Sequence, residues 1–275
     1  MDAQDLSALH AHYSLGRERD RLSIDARGAL EFERTTEIIA RYLPGAPAVV
    51  ADIGGGPGRY SLWLAGHGYQ VEHRDLMPLH VAQLAAEVPP GGAVSTLVAD
   101  ARDLDLAEGS ADAVLLLGPL YHLRHRADRL AALAEARRIV RPGGPVFAAA
   151  ISRWAPRLDG ELRQRLYLDF PVAREVSLCA ERTGRLAPLR DGGFSAYCHR
   201  PGQLRAEVRA AGLDVADLVS VEGAGFWMAD LAERMADPLD WQVVLDTARA
   251  TERVAELLGI GPHLLVTAVR PPAQV

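Results

Sequence analysis

The feature that most constrains this chain is the run Asp52-Ile53-Gly54-Gly55-Gly56-Pro57-Gly58, which joins an apolar stretch at 48–54 to an amphipathic one at 59–66. A strand-to-helix junction of this kind asks two things of glycine. The backbone must turn sharply, and a ligand must approach the main chain with no Cβ in the way. The opening turn of the following helix then presents unpaired N–H groups and the positive end of its dipole to a nucleotide-like group.

Downstream, short apolar runs alternate with amphipathic stretches, the pattern of a parallel sheet with crossover helices. Strands are expected at 48–54, 69–76, 91–101, 111–123, 145–152, 213–223 and 263–270, most of them apolar enough to be buried on both faces. The amphipathic segment 128–144 reads as a helix that stops at Gly143 and Gly144, where a glycine can take the left-handed cap conformation. Residues 153–200 carry aromatic and charged side chains without a clear strand, and read as a mostly helical insertion over the carboxyl edge of the sheet. With 275 residues and 49% hydrophobic content the chain can bury one large α/β core. The expected organisation is an N-terminal helical cap segment at 1–45 and a doubly wound domain at 46–275, with a lid insertion at about 153–200.

The formal net charge is −6, and the 30 basic residues are arginines interspersed among 36 acids. Duplex binding draws most of its affinity from neutralised phosphates, so this balance argues against nucleic acid as a partner. Two cysteines, Cys179 and Cys198, are too few for a disulfide framework. The amino terminus lacks an apolar signal core, and no stretch approaches the roughly 20 apolar residues of a membrane span. The expectation is a cytoplasmic protein without membrane contact, monomeric or homodimeric.

The ends of the next strands carry acids. Asp75 closes the second strand, where a carboxylate can accept both ribose hydroxyl protons, although strand-end acids also cap helices. Asp100 closes the third. Arg59 stands where the dinucleotide fingerprint needs a glycine or alanine. The turn instead resembles the D-x-G-x-G-x-G turn of class I S-adenosylmethionine-dependent methyltransferases. The segments LLLGPLYHL and RRIVRPGGPVFAAA resemble the same family's fourth strand end and its helix, turn and fifth strand. The likeness covers roughly 48–150 by motif and the rest by element order.

This resemblance implies a Rossmann-like seven-stranded sheet, mostly parallel, whose last strand at 263–270 runs antiparallel. It implies S-adenosyl-L-methionine as cofactor, with S-adenosyl-L-homocysteine as product. The methionine portion would lie along Asp52, Gly54, Gly55, Gly56 and Gly58, the ribose at Asp75 and Leu76, and the adenine at Asp100 and Ala101 over Leu117 and Gly118. Tyr13 and Arg34 resemble N-terminal residues that touch the cofactor, the arginine through a two-pronged contact with its carboxylate. In the plainer reading Glu18, Arg19, Arg21, Glu33 and Arg34 form an exposed helical ion-pair face.

Methyl transfer from a sulfonium is an in-line displacement, so the protein mainly aligns the acceptor and excludes water. A hydroxyl or acidic carbon also needs a base. His122 follows the fourth strand, and an imidazole with a pKa of about 6.5 accepts a proton at neutral pH. A structural histidine donating to a backbone carbonyl is the competing reading. Tyr13 and His199 are further catalytic candidates, His199 also fitting a helix boundary. Tyr121, Trp154, Tyr167, Phe170, Phe194 and Tyr197 are candidates for the acceptor pocket, or for lid core.

The fourth strand ends Gly118-Pro119-Leu120-Tyr121, unlike the asparagine-proline-proline-tyrosine signature of enzymes that methylate amino groups of nucleic acid or protein. No metal-ligand acids stand in recognisable spacing, and no metal is expected. The favoured acceptor is a small molecule of secondary metabolism, reacting through a phenolic or carboxylate oxygen, an indole-type carbon or an amine nitrogen. An NAD(P)-dependent oxidoreductase and a non-catalytic cofactor-binding protein are the alternatives.

Overall fold

Alternate residues of the central strands face opposite helical layers, which is why these strands read as continuous apolar runs. The computed structural model describes residues 9–11, 13, 16, 18–190 and 193–272. Parts of the N-terminal segment at 1–45 therefore lie outside the described residues.

The first half of the chain runs α1 (Ala26–Ala40), β1 (Val49–Ile53), α2 (Arg59–Gly66), β2 (Gln70–Asp75), α3 (Pro78–Glu87), β3 (Val94–Val98), β4 (Ala113–Leu116), α4 (Pro119–His122), α5 (Arg126–Ile139) and β5 (Pro145–Ser152). Next come a π-helical segment (Pro156–Arg163), a 3-10 turn (Leu166–Leu168), α6 (Ala173–Thr183), β6 (Arg185–Leu186), β7 (Ala196–His199) and α7 (Pro201–Ala210). The chain closes with β8 (Asp214–Ser220), a 3-10 segment (Gly223–Trp227), α8 (Leu231–Ala236), α9 (Pro238–Thr251) and β9 (His263–Val269).

β1 pairs in parallel with β2 on one side and β4 on the other, β2 with β3, and β4 with β5. β9 runs antiparallel to β5, from Pro145↔Val269 to Ile151↔His263, and antiparallel to β8. All seven expected strands form, in a mostly parallel sheet whose last strand is reversed.

The layers follow the period of two. Ala51, Ile53, Val114, Leu116, Val146 and Ala148 pack with Leu133, Ala136 and Ile139 of α5 and with Leu204 and Val208 of α7. Their neighbours Val50, Ala113, Leu115 and Phe147 pack on the other face with Ile38 and Ile39 of α1 and with Leu64 of α2. α1 starts at Asp25, whose carboxylate accepts from the Arg27 and Gly28 amides at 3.0 and 2.9 Å, the bond set of an N-cap.

Two local expectations are corrected. α5 ends at Ile139, four residues before Gly143, because Val140 turns extended (ψ 140°) ahead of Pro142; Gly143 takes its positive φ in the turn that feeds β5. Residues 196–199, read as part of a strandless insertion, form β7, pairing Cys198 and His199 with Ile151 and Ser152 at the end of β5. Only two residues of β7 pair with β5, 47 positions earlier, and its nearer partner β6 is two residues long, so neither pairing leaves a periodic signature. No helix among the described residues is long and apolar enough to cross a membrane.

The far end of the lid segment is pinned by a buried cluster. Arg129 of α5 donates to both Glu207 carboxylate oxygens at 2.8 and 2.6 Å, and its guanidinium lies 3.7 Å from the Tyr197 ring centroid. His199 meets the same carboxylate at 3.1 Å. Burial pushes the Glu207 carboxyl up, but the hydrogen bonds from Arg129 and His199 outweigh it and hold the group at about 2, against 4.5 ordinarily. This stabilisation is present above 4.5 and is lost as pH falls towards 2. Glu207→Gln should therefore lower the urea midpoint at pH 7 and narrow its gap from wild type on acidification. Equal midpoints at pH 7 would contradict this account.

Candidate active site

The strand order reverses between β1 and β4, and a crevice opens at their carboxyl ends. Gly54 sits at φ +66° at the end of β1, in the left-handed region open to glycine. On the β4 side, a Cβ on Gly118 would stand 2.7 Å from the Gly54 carbonyl oxygen, so the two loops meet backbone to backbone.

Polar side chains fix the turn from beneath. Asp52 is fully buried and accepts from Ser61 Oγ of α2 at 2.6 Å. Its other oxygen, Oδ1, has no hydrogen-bond partner among the described residues, and burial pushes this carboxyl up. Asp75 at the end of β2 accepts from the Gly56 amide at 2.8 Å, the Met77 amide at 2.8 Å and His80 Nδ1 at 3.0 Å. Burial raises its pKa, but the His80 hydrogen bond and the amides prevail and hold it below the usual carboxylate range. Asp100 and Ala101 follow β3, and Arg102 holds the Asp100 carboxylate through Nη2 at 2.6 Å and Nε at 3.0 Å.

A cavity of about 140 Å³ follows these groups. It is lined by Asp52, Gly54, Gly55, Gly56, Asp75, Leu76, Asp100, Ala101, Leu117, Gly118, Tyr121, His122 and Tyr13, which the sequence proposes for the site. Gly58 opens α2 beside it at φ +90° but does not line it. Tyr13 and His122, 109 positions apart, meet at 2.6 Å between Oη and Nε2. Burial pushes the Tyr13 and Tyr121 hydroxyls up, so both keep their protons at neutral pH. The Tyr13 ring also stands edge-on to His80, at 4.9 Å between centroids.

A larger chamber of about 650 Å³ adjoins the cleft beneath the π-helical segment and α6, and shares Tyr13, Glu18 and His263 with it. Phe170 and Phe194 line this chamber, among Ile151, Val176, Leu186 and Phe226.

Several expected site residues lie elsewhere. Arg34 is fully buried and bonds to Glu37 at 2.5 Å and to Glu252, away from both cavities. It is neither a cleft residue nor part of an exposed ion-pair face, because the far end of the chain folds over α1. His199 is fully buried against Glu207, and burial pulls its pKa down. Tyr197 packs under Arg129. Trp154 is 45% and Tyr167 38% exposed, and neither lines the cleft or the adjoining chamber.

Other residues enter that sequence reasoning missed. Arg21 grips Glu31 of α1 through two bonds at 2.6 and 2.9 Å and Glu18 through Nε at 2.6 Å. His263, the first residue of β9, meets Glu222 through Nδ1 at 2.5 Å. A histidine opening one strand and an acid just after another gave only a weak signal. The antiparallel course of β9 is what brings its start to the carboxyl edge.

The donor and acceptor set fits a nucleoside cofactor. Asp75 Oδ2 accepts a single hydrogen bond and so keeps a lone pair, Asp100 lines the cleft, and Asp52 leaves one buried oxygen unpaired among the described residues beside the glycine turn.

Comparison with known proteins agrees. Residues 51–148 match the family described as a methyltransferase domain. The chain is 33% identical to a demethylmenaquinone methyltransferase of Beutenbergia cavernae, over 69% of this chain and 74% of that one. It is 30% identical to a ubiquinone biosynthesis O-methyltransferase of Pseudomonas aeruginosa, over 62% and 67%. In fold it is similar to the Burkholderia thailandensis 1,6-didemethyltoxoflavin-N1-methyltransferase, solved with 1,6-didemethyltoxoflavin and S-adenosylhomocysteine. That match has a TM-score of 0.60 at 19% identity, covering 98% of this chain and 92% of the other.

A doubly wound sheet with a nucleoside cleft at its switch point is thus the scaffold of a methyl-transferring enzyme. The chain belongs to the S-adenosylmethionine-dependent methyltransferases, and S-adenosylmethionine is its cofactor. This sets aside the dinucleotide alternative.

Gly118→Ala should weaken S-adenosylhomocysteine binding about tenfold or more in calorimetry, because the new Cβ forces the two loops apart. Gly66→Ala, whose Cβ meets open space, should leave it unchanged. Unaltered affinity in the first variant would mean that the loop contact does not shape the cleft.

Proposed function

We propose that this enzyme methylates a small, largely apolar acceptor, a secondary metabolite, held in the 650 Å³ chamber beside the cofactor cleft, with His122 as the base. The observation that carries the reading is the shared wall. Tyr13, Glu18 and His263 border both spaces, so an acceptor in the chamber lies next to the cofactor. Predominantly apolar lining with a few polar groups is what a small-molecule site requires. The names of relatives from menaquinone and ubiquinone biosynthesis, and of the toxoflavin-type neighbour, accord with a small acceptor.

In this reading the glycine turn and Asp52 hold the methionine portion, Asp75 and Leu76 the ribose, and Asp100 and Ala101 the adenine. Bound there, the cofactor supplies an electrophilic methyl group. The chain's own part is placement and proton handling. Tyr13 lines the cleft, and its protonated hydroxyl stands 2.6 Å from His122 Nε2, within reach to donate to that nitrogen when it is the unprotonated one. As the base, His122 takes the acceptor's proton at Nε2, the acceptor's hydroxyl replacing that of Tyr13 there. Phe170 and Phe194 give the acceptor an apolar bed and exclude water.

Calorimetry should show S-adenosylhomocysteine binding and no response to NAD. With methyl-labelled cofactor, a panel of small phenols, indoles and aryl amines should include at least one acceptor. His122→Ala should then lower transfer by about 10²- to 10⁴-fold while S-adenosylhomocysteine affinity holds. Full activity in that variant would remove His122 from the role of base.

A further inference from the structure

The wall between the two cavities carries a polar cluster apart from the strand-end acids. Glu31 of α1, Glu222 after β8 and His263 of β9 place a ligand atom each within 4.8 Å of one another, with His263 Nδ1 3.9 Å from Glu31. The site resembles a cation site only at first sight. Arg21 already grips Glu31 through two bonds, and the imidazole already engages Glu222. The carboxylates are therefore compensated by the protein's own cations.

One atom of the cluster is left over. Glu222 is fully buried and takes Nδ1 of His263 at 2.5 Å and its backbone amide at 3.3 Å, which fixes the ring. Nε2, on the opposite side of the imidazole, has no hydrogen-bond partner among the described residues, and the side chain keeps 20% exposure while lining both cavities.

We propose that His263, positioned by Glu222, is a specificity residue that donates a hydrogen bond from Nε2 to an uncharged oxygen, carbonyl or phenolic, of an otherwise apolar acceptor. This deepens the reading of the chamber as the acceptor site and rests on it.

The charges around the imidazole set its protonation, and the apolar walls select the class. Glu222 and Glu31 face it, with Arg21 beyond Glu31 and Glu18 bonded to Arg21. Burial pulls the imidazole pKa down, but Glu222 and Glu31 overcome this and hold it at about 9. Nε2 therefore carries a proton at neutral pH and acts as a donor. The ion pairs of the chamber wall, Asp159 with Arg163 included, are balanced, so a carboxylate acceptor would lose its hydration for a single donor in return. A neutral oxygen accepts the bond at a lower desolvation cost, and the Phe170, Phe194 and Phe226 walls receive the apolar remainder.

The test uses 1-naphthol, naphthalene and 1-naphthoate as probes on the full chain loaded with S-adenosylhomocysteine. In ¹⁵N spectra of labelled imidazole, His263 should titrate near 9, and in Glu222→Gln its titration should move down towards the ordinary histidine range. Adding 1-naphthol at pH 7 should shift the Nε2 resonance, and naphthalene should not. By calorimetry, 1-naphthol should bind about tenfold more tightly than naphthalene or 1-naphthoate, and His263→Leu, which removes the donor, should abolish the preference over naphthalene. A preference for 1-naphthol over naphthalene retained in His263→Leu, an unmoved Nε2 signal, tighter binding of 1-naphthoate, or no naphthol binding would each overturn the proposal. Because all these measurements use the S-adenosylhomocysteine complex, failure of that complex to form would count against the cofactor site instead.

Discussion

Everything in this structure depends on two parallel strands, β1 and β4, that send their chains to opposite faces of the sheet. The helix after β1 packs with Val50 and Leu115, and the one reached from β4 packs with Ile53 and Leu116. Since the two connections depart in opposite directions, nothing of either fills the space above the strand ends. The loops nevertheless converge at Gly54 and Gly118, where only the missing Cβ lets a carbonyl oxygen pass. The cleft is therefore a consequence of topology, and its polar lining comes from whatever residues terminate the strands.

Buried charges align the remaining parts on this frame. Arg129 and Glu207 fasten α5 to α7 near β7, while Arg34 and Glu252 fasten α1 to the segment after α9. Pairs like these return little net stability once desolvation is counted, and they are costly to break on one side only. Their effect is on placement, since a slipped register would leave a buried charge without its partner. Through them the N-terminal segment carrying Tyr13 and the lid segment carrying Phe170 and Phe194 come to border adjoining cavities that share a wall.

The sheet was legible in the sequence because its signals are local: apolar runs of strand length, amphipathic helices of ordinary period, and glycine at the turns. The cleft was legible for the same reason. Asp52, Asp75 and Asp100 each end or follow a strand, and parallel strands bring such ends to one edge. What failed was reasoning about side chains whose surroundings arrive from far along the chain. Arg34 reads as an exposed or ligand-binding arginine until Glu252, 218 positions later, is folded against it. Tyr197 and His199 read as pocket residues until β7 joins β5 and turns them towards Arg129 and Glu207.

The sequence by itself determined the seven main strands and the helices between them, the glycine-rich turn after the first strand, and the acids at the strand ends, because each is written in a window of a few residues. The tertiary structure alone decided which aromatic and ionic side chains face the chamber. It also set the imidazole of His263 beside Glu222 and Glu31, at the mouth of a cleft built by the other half of the sheet. Antiparallel entry of β9 puts its first residue, instead of its last, at the catalytic edge, and a strand's direction is settled by the partners it pairs with, not by its own residues.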